Sequence, residues 1–133
     1  MSLQQELDSI TGRALGIADV QSAVLFIVEP GSSTLGLASA AGISGPALDG
    51  LTAAVREPAH PVARALTDDG PTFDVRPIAP GGPALRSHLP VRDGGTTVGV
   101  LALAHDQPVG AADREALSGL ARAAAALISG PER

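Results

Sequence analysis

The stretch Leu85 to Ala104, LRSHLPVRDGGTTVGVLALA, decides the fold class. Two runs rich in β-forming residues flank Asp93-Gly94-Gly95, and a glycine turn between such runs reads as a hairpin with strands Leu85 to Val91 and Thr96 to Ala104. The second strand, from Val98 on VGVLALA, is apolar at odd and even positions alike, so both its faces need covering and it belongs at the centre of a sheet. Upstream, Ser22 to Glu29 (SAVLFIVE) has the same two-sided character. The turn cluster Pro30-Gly31-Ser32-Ser33 follows it, and then Leu35 to Ala41, a strand expected to carry Leu35, Leu37, Ser39 and Ala41 on one side.

Helices enclose these strands. Leu3, Leu7, Ile10 and Ala14 recur at helical spacing near the start. Pro46 to Arg56 and Val62 to Leu66 read as short helices, the latter opened by Pro61, whose missing N–H would have no helical partner there. Pro71 to Pro83 is loop-rich, with one short strand at Thr72 to Val75. Ala111 to Ser129 forms the last helix, with a face of Leu117, Leu120, Ala121, Ala124, Leu127 and Ile128. Its second stripe, Ala116, Gly119, Ala123 and Ala126, is small, which predicts cover on two sides, by the sheet and by the first helix or a partner chain. The pattern is α+β, with a mainly antiparallel sheet of five to six strands.

Composition closes several chemistries. The 133 residues suit one domain, 1–133, whose ends allow it to be a module of a longer signalling protein. With no Cys there is no disulfide, no thiol nucleophile and no thiolate metal site. All nine basic residues are Arg, scattered against fourteen acids for a net charge of −5, so no basic stripe offers itself to nucleic acid. No apolar run approaches the length of a membrane span and the start lacks a signal-peptide pattern, which predicts a soluble, cytoplasmic domain without a membrane partner.

Four local motifs, in order, resemble a GAF domain, the small-molecule sensing fold of signalling proteins, over Leu3 to Ile128. They are the apolar strand and its neighbour closing on Ala41-Gly42, His60-Pro61 opening a short helix, Leu89-Pro90-Val91 with Val98-Gly99-Val100-Leu101, and Asp113 with Leu117, Leu120 and Ala121. The resemblance implies a GAF-like (PAS/profilin-like) α+β fold, with the N- and C-terminal helices on one sheet face and short helices and loops over the other. It also implies a ligand pocket on that second face.

Family chemistries that depend on particular residues are closed to this chain. The cyclic-nucleotide constellation needs Asn and Lys, and bilin attachment and methionine sulfoxide reduction use cysteines; none of these residues is present. A haem-binding sensor would need an axial histidine from His60, His88 or His105; His60 reads as a cap, His105 as solvent-facing, and His88 could face either side. No Gly-x-Ser-x-Gly elbow and no paired histidines at helical spacing occur, so the chain reads as no enzyme, with no metal and no cofactor. What remains is a pocket under the short helices, where His60, Arg64, Phe73, Arg76, Arg86 and His88 are the polar or aromatic groups available. Arginine suits carboxylate or phosphate, so the expected ligand is a small anionic or amphipathic molecule. The expectation is a non-catalytic regulatory sensor that signals through its terminal helices, with a homodimer formed through those helices. The alternative is a dimerisation or interaction module with a vestigial pocket.

Overall fold

The computed structural model describes residues 2–77 and 83–129. Helix α1 spans Leu3–Ala14 and opens on a capping box: Ser2 Oγ accepts from the Gln5 N–H at 3.1 Å, and Gln5 Oε1 accepts from the Ser2 N–H at 3.0 Å. Strands β1 (Ser22–Val28) and β2 (Leu35–Ala41) follow, then α2 (Gly45–Ala54), α3 (Pro61–Arg64) and a 3-10 turn at Ala65–Thr67. The short strand β3 (Thr72–Val75), the hairpin of β4 (Leu85–Asp93) and β5 (Thr96–His105), and helix α4 (Ala111–Ser129) complete the chain. The part of the expected Pro71 to Pro83 loop at 78–82 lies outside the described residues.

The strands form one five-stranded sheet in the order β2-β1-β5-β4-β3, every neighbouring pair antiparallel. The two doubly apolar strands, β1 and β5, lie inside it as their composition requires. Helices α1 and α4 cover one face, where Leu7, Ile10, Leu117, Leu120 and Ala124 pack on Leu25, Leu89, Val91, Leu101 and Leu103. Over the other face, Val55, Val62 and Ala65, with Leu48, Leu51 and Leu66 at the margin, pack on Val24, Phe26, Val100 and Ala102. Burying a side chain of this kind stabilises by about 1.5–3 kcal/mol, so each face is a core in its own right.

The structure departs from several expectations. A bulge in β2 moves the pairing from Leu25 with Ser39 to Phe26 with Leu37, leaving Ala38 extra. One extra residue reverses the side on which the following side chains fall. Leu35 therefore packs with the short-helix core, whereas Ser39 turns to α1 and meets Thr11 Oγ1 at 2.9 Å; they do not share one side. Leu3, counted in the α1 stripe, is 52% exposed because it precedes the part of the helix that lies on the sheet. On α4 the small stripe is only partly covered: Gly119 and Ala123 are half-buried, Ala116 and Ala126 exposed.

Candidate functional site

Alternation along β4 sorts its side chains between the two cores. Leu89 and Val91 belong to the α1/α4 side, and Ser87 lies with them. Arg86, His88 and Pro90 therefore point to the short-helix side, where the partner of His88 across the hairpin is Ala102 of that core. Thr72 of β3 pairs with His88 on the other flank, so the imidazole is walled in and only 7% exposed.

The electrostatics of His88 follow from that position. Burial holds it well below the usual histidine range, at about 4, and the nearby positive groups of His60 and Arg86 push in the same direction, while the Asp68 carboxylate pulls weakly upward. His88 is therefore neutral at pH 7. Among the described residues no hydrogen bond engages its ring, so its nitrogens stand as one donor and one acceptor on the short-helix side of the sheet. His60 lies across from it as the N-cap of α3, with Nδ1 accepting from the Val62 N–H at 3.1 Å. That bond places the ring proton on Nε2. Burial lowers the His60 pKa as well.

The other expected site residues divide. Arg86 is half-buried, its guanidinium held by the carbonyls of Pro83 at 2.6 Å and Leu85 at 3.1 Å, and its charge reaches His88. Arg64, in the last turn of α3, and Arg76, just beyond β3, are exposed. Phe73 departs from the expected pocket: it packs against the α1/α4 core, with the Arg114 guanidinium 4.7 Å over its ring, because Thr72 pairs with His88 and shares its side, so the next side chain falls on the other. Phe73 therefore lies on the opposite side of the sheet from His88.

A Ser–His pair forms that spacing along the chain gave no sign of. Ser87 Oγ lies 2.7 Å from His105 Nε2, and His105 Nδ1 lies 2.8 Å from the Gln107 carbonyl. A carbonyl only accepts, so Nδ1 carries the proton, Nε2 accepts from the Ser87 hydroxyl, and Ser87 Oγ in turn accepts from the Asp74 N–H at 3.2 Å. Donor and base stand at the distance of a nucleophile pair. Both residues are wholly buried, however, so no substrate reaches them, and the pair is structural. The expectation that His105 faces solvent is overturned by the same contacts: the carbonyl and hydroxyl partners satisfy the ring inside the protein.

A cleft of about 240 Å³ opens between the turn at Asp69, Gly70 and Pro71, β4 and α4. Among the described residues no group of three or more His, Asp or Glu is placed to hold a metal ion, and no helix is long and apolar enough to cross a membrane.

No protein-family model and no curated protein sequence matches the chain. Solved structures do. The second GAF domain of DevS from Mycobacterium smegmatis superposes with a TM-score of 0.72 at 20% identity, over 93% of this chain and 91% of that one. The GAF domain of a phosphoenolpyruvate-protein phosphotransferase from Coxiella burnetii gives 0.77 at 15% identity, over 96% and 83%. A type II free methionine-R-sulfoxide reductase from Thermoplasma acidophilum gives 0.70 at 15% identity, over 97% and 96%. GAF domains of other proteins and a reductase thus share this architecture, and identities this low speak to fold alone. The five-stranded antiparallel sheet, with terminal helices on one face and short helices on the other, is the fold of the GAF domains.

Proposed function

We propose that this domain is a non-catalytic regulatory sensor that takes a small anionic molecule on the short-helix face of its sheet. The observation that carries this reading is His88, a neutral imidazole more than nine-tenths buried, without a hydrogen-bonding partner among the described residues, and within electrostatic reach of His60 and Arg86. Among the described residues the buried side-chain atoms without a partner are Asp19 Oδ1 and Ser129 Oγ, so the His88 nitrogens keep contact with solvent, and an incoming acceptor or donor would take the place of water there. Arg64, in α3 on that face, is an exposed cation and would hold a carboxylate or phosphate at its rim. Occupancy would work through β4 and β5, which carry the short-helix core on one face and the α1/α4 core on the other. Signalling through the terminal helices rests on that two-sided packing.

The absence of catalysis rests on the sealed Ser87–His105 pair and on the cysteine-free sequence, which has no thiol for sulfoxide chemistry. Haem fits poorly: on the short-helix side of the sheet Phe26, Val62 and Ala65 are packed side chains of one core rather than the walls of a wide apolar slot. NMR titration of the His88 ring with a panel of carboxylates and phosphates tests the sensor reading. A binding anion raises the His88 pKa and is weakened by Arg86→Gln. If no compound in the panel perturbs the His88 or His60 ring, the reading fails.

A second reading, a homodimerisation module, is favoured by the exposure of Leu3 on α1 and of Ala116 and Ala126 on α4. Light scattering on the wild type, Leu3→Glu and Ala126→Glu decides it, since a dimer through these helices would dissociate in both variants.

A further inference from the structure

We propose that the cleft between the Asp69–Pro71 turn, β4 and α4 binds a small zwitterion, a free α-amino acid being the chemical class. The cleft exists because β3 is short. Its pairing with β4 begins at Thr72 opposite His88, so from Leu89 onward β4 has a free edge, and the turn before β3 stands away from α4. Pro90 lies on this free edge, where a residue without an N–H is tolerated. The opening lies at the free edge of β4 beside α4, with no residue of α2 or α3 in its lining, and the inference goes beyond the sensor site proposed on the short-helix face.

The lining provides an apolar surface and charges of both signs. Pro71 is its exposed apolar member, whereas Leu89 and Ala121 behind it are almost fully covered. Arg92 donates to the Asp68 carbonyl at 3.4 Å, the Gly95 carbonyl at 3.3 Å and Thr97 Oγ1 at 3.2 Å. These partners are neutral, so they position the guanidinium without cancelling its charge. Arg122 meets Glu115 at 3.6 Å, with both side chains well exposed, a contact too weak to hold it from a better partner. Asp69 contributes a carboxylate and Ser118 a hydroxyl.

Charge balance selects the ligand. Two guanidinium groups face Asp69 within the lining and Glu115 beside it, so the site is close to neutral. A bare anion would meet the Asp69 carboxylate, and a bare cation would meet two arginines. A molecule bearing a carboxylate and an ammonium satisfies both, with its carboxylate forked to guanidinium and its side chain against the exposed Pro71 ring. A volume of about 240 Å³ lies below the range of roughly 300–1,000 Å³ for drug-sized ligands and suits an amino acid.

The test is an amide NMR titration of the intact chain with leucine, methionine and glutamine, alongside two leucine analogues, isocaproate without the ammonium and isopentylamine without the carboxylate. At least one amino acid is expected to give saturable shifts at Gly70, Arg92 and Ser118, and for leucine each analogue should bind about tenfold more weakly or worse. Arg122→Gln and Ser118→Leu, both on the helix surface, should weaken binding to a similar degree without moving the unfolding midpoint, and Asp69→Asn should narrow the gap between leucine and isocaproate. The proposal is overturned if no amino acid shifts these amides, if isocaproate binds as tightly as leucine, or if the shifts gather around His88 instead.

Discussion

Arg114 Nη2 donates to Asp74 Oδ2 at 2.8 Å while the same guanidinium stacks 4.7 Å over the ring of Phe73. Asp74 Oδ1 accepts from the Val109 N–H at 3.0 Å, and Arg114 Nε donates to the Val109 carbonyl at 2.8 Å. One arginine thus ties the edge strand β3 to the start of α4, and it does so around a residue held at positive φ. The ion pair is partly exposed, so its Coulombic share is small, but the stacking and the carbonyl bond add to it. Arg114→Ala is expected to cost about 1–2 kcal/mol in urea unfolding, and Arg114→Lys to recover only part of that, because an ammonium lacks the fork.

Ser87→Ala should cost about 1–3 kcal/mol, since it leaves both the Asp74 N–H and His105 Nε2 without a partner in the interior. A fluorophosphonate probe should leave Ser87 unlabelled in the folded protein. Stoichiometric labelling would show that the pair is accessible and would reopen hydrolytic chemistry.

Stability should depend on pH through His88. Its pKa is near 4 in the folded state against about 6.5 for the free side chain, so between those values the unfolded chain binds the extra proton. The contribution is complete above pH 6.5 and declines as the pH falls, by about 2 kcal/mol between pH 7 and pH 5. Asp8 and Asp106 act in the same direction at lower pH, because hydrogen bonds, from Ser39 to Asp8 and from the Ala84 N–H to Asp106, lower their pKa values. Urea midpoints at pH 7 and pH 5 should therefore differ in the wild type and converge in His88→Leu.

Gly99→Ala should be strongly destabilising, by about 3 kcal/mol or more, because a Cβ at this position would come within 2.4 Å of the Phe26 carbonyl oxygen on β1. The close neighbour is the backbone of the next strand. Gly42→Ala should be as severe, since φ is +79° and the Gln21 carbonyl oxygen lies 2.2 Å from the Cβ position. Thermal unfolding of both variants measures this, against Gly50→Ala, which meets open space.

Much of the architecture was legible in the chain because its determinants are local. The Asp93-Gly94-Gly95 turn, the two-sided apolar runs of β1 and β5, Pro61 at the head of α3 and the periodicity of α4 each act within a few residues, and the elements they predict appear with ends shifted by at most a residue or two. The candidate site was less legible. His60 as a cap follows from His-Pro at a helix start, and the placement of Arg86 and His88 on one face follows from alternation once β4 is accepted.

By itself, then, the sequence determined the α+β class, the hairpin, the helix positions and the exclusion of thiol chemistry, since these depend on composition and short-range pattern. Which face each polar side chain occupies was decided by tertiary structure. A period of two states only that neighbours oppose one another. The absolute side depends on the β2 bulge, the register of β3 against β4 and the register of β4 against β5. Those long-range choices sealed His105 against Ser87, turned Phe73 toward Arg114, and left the edge of β4 open beside Arg92.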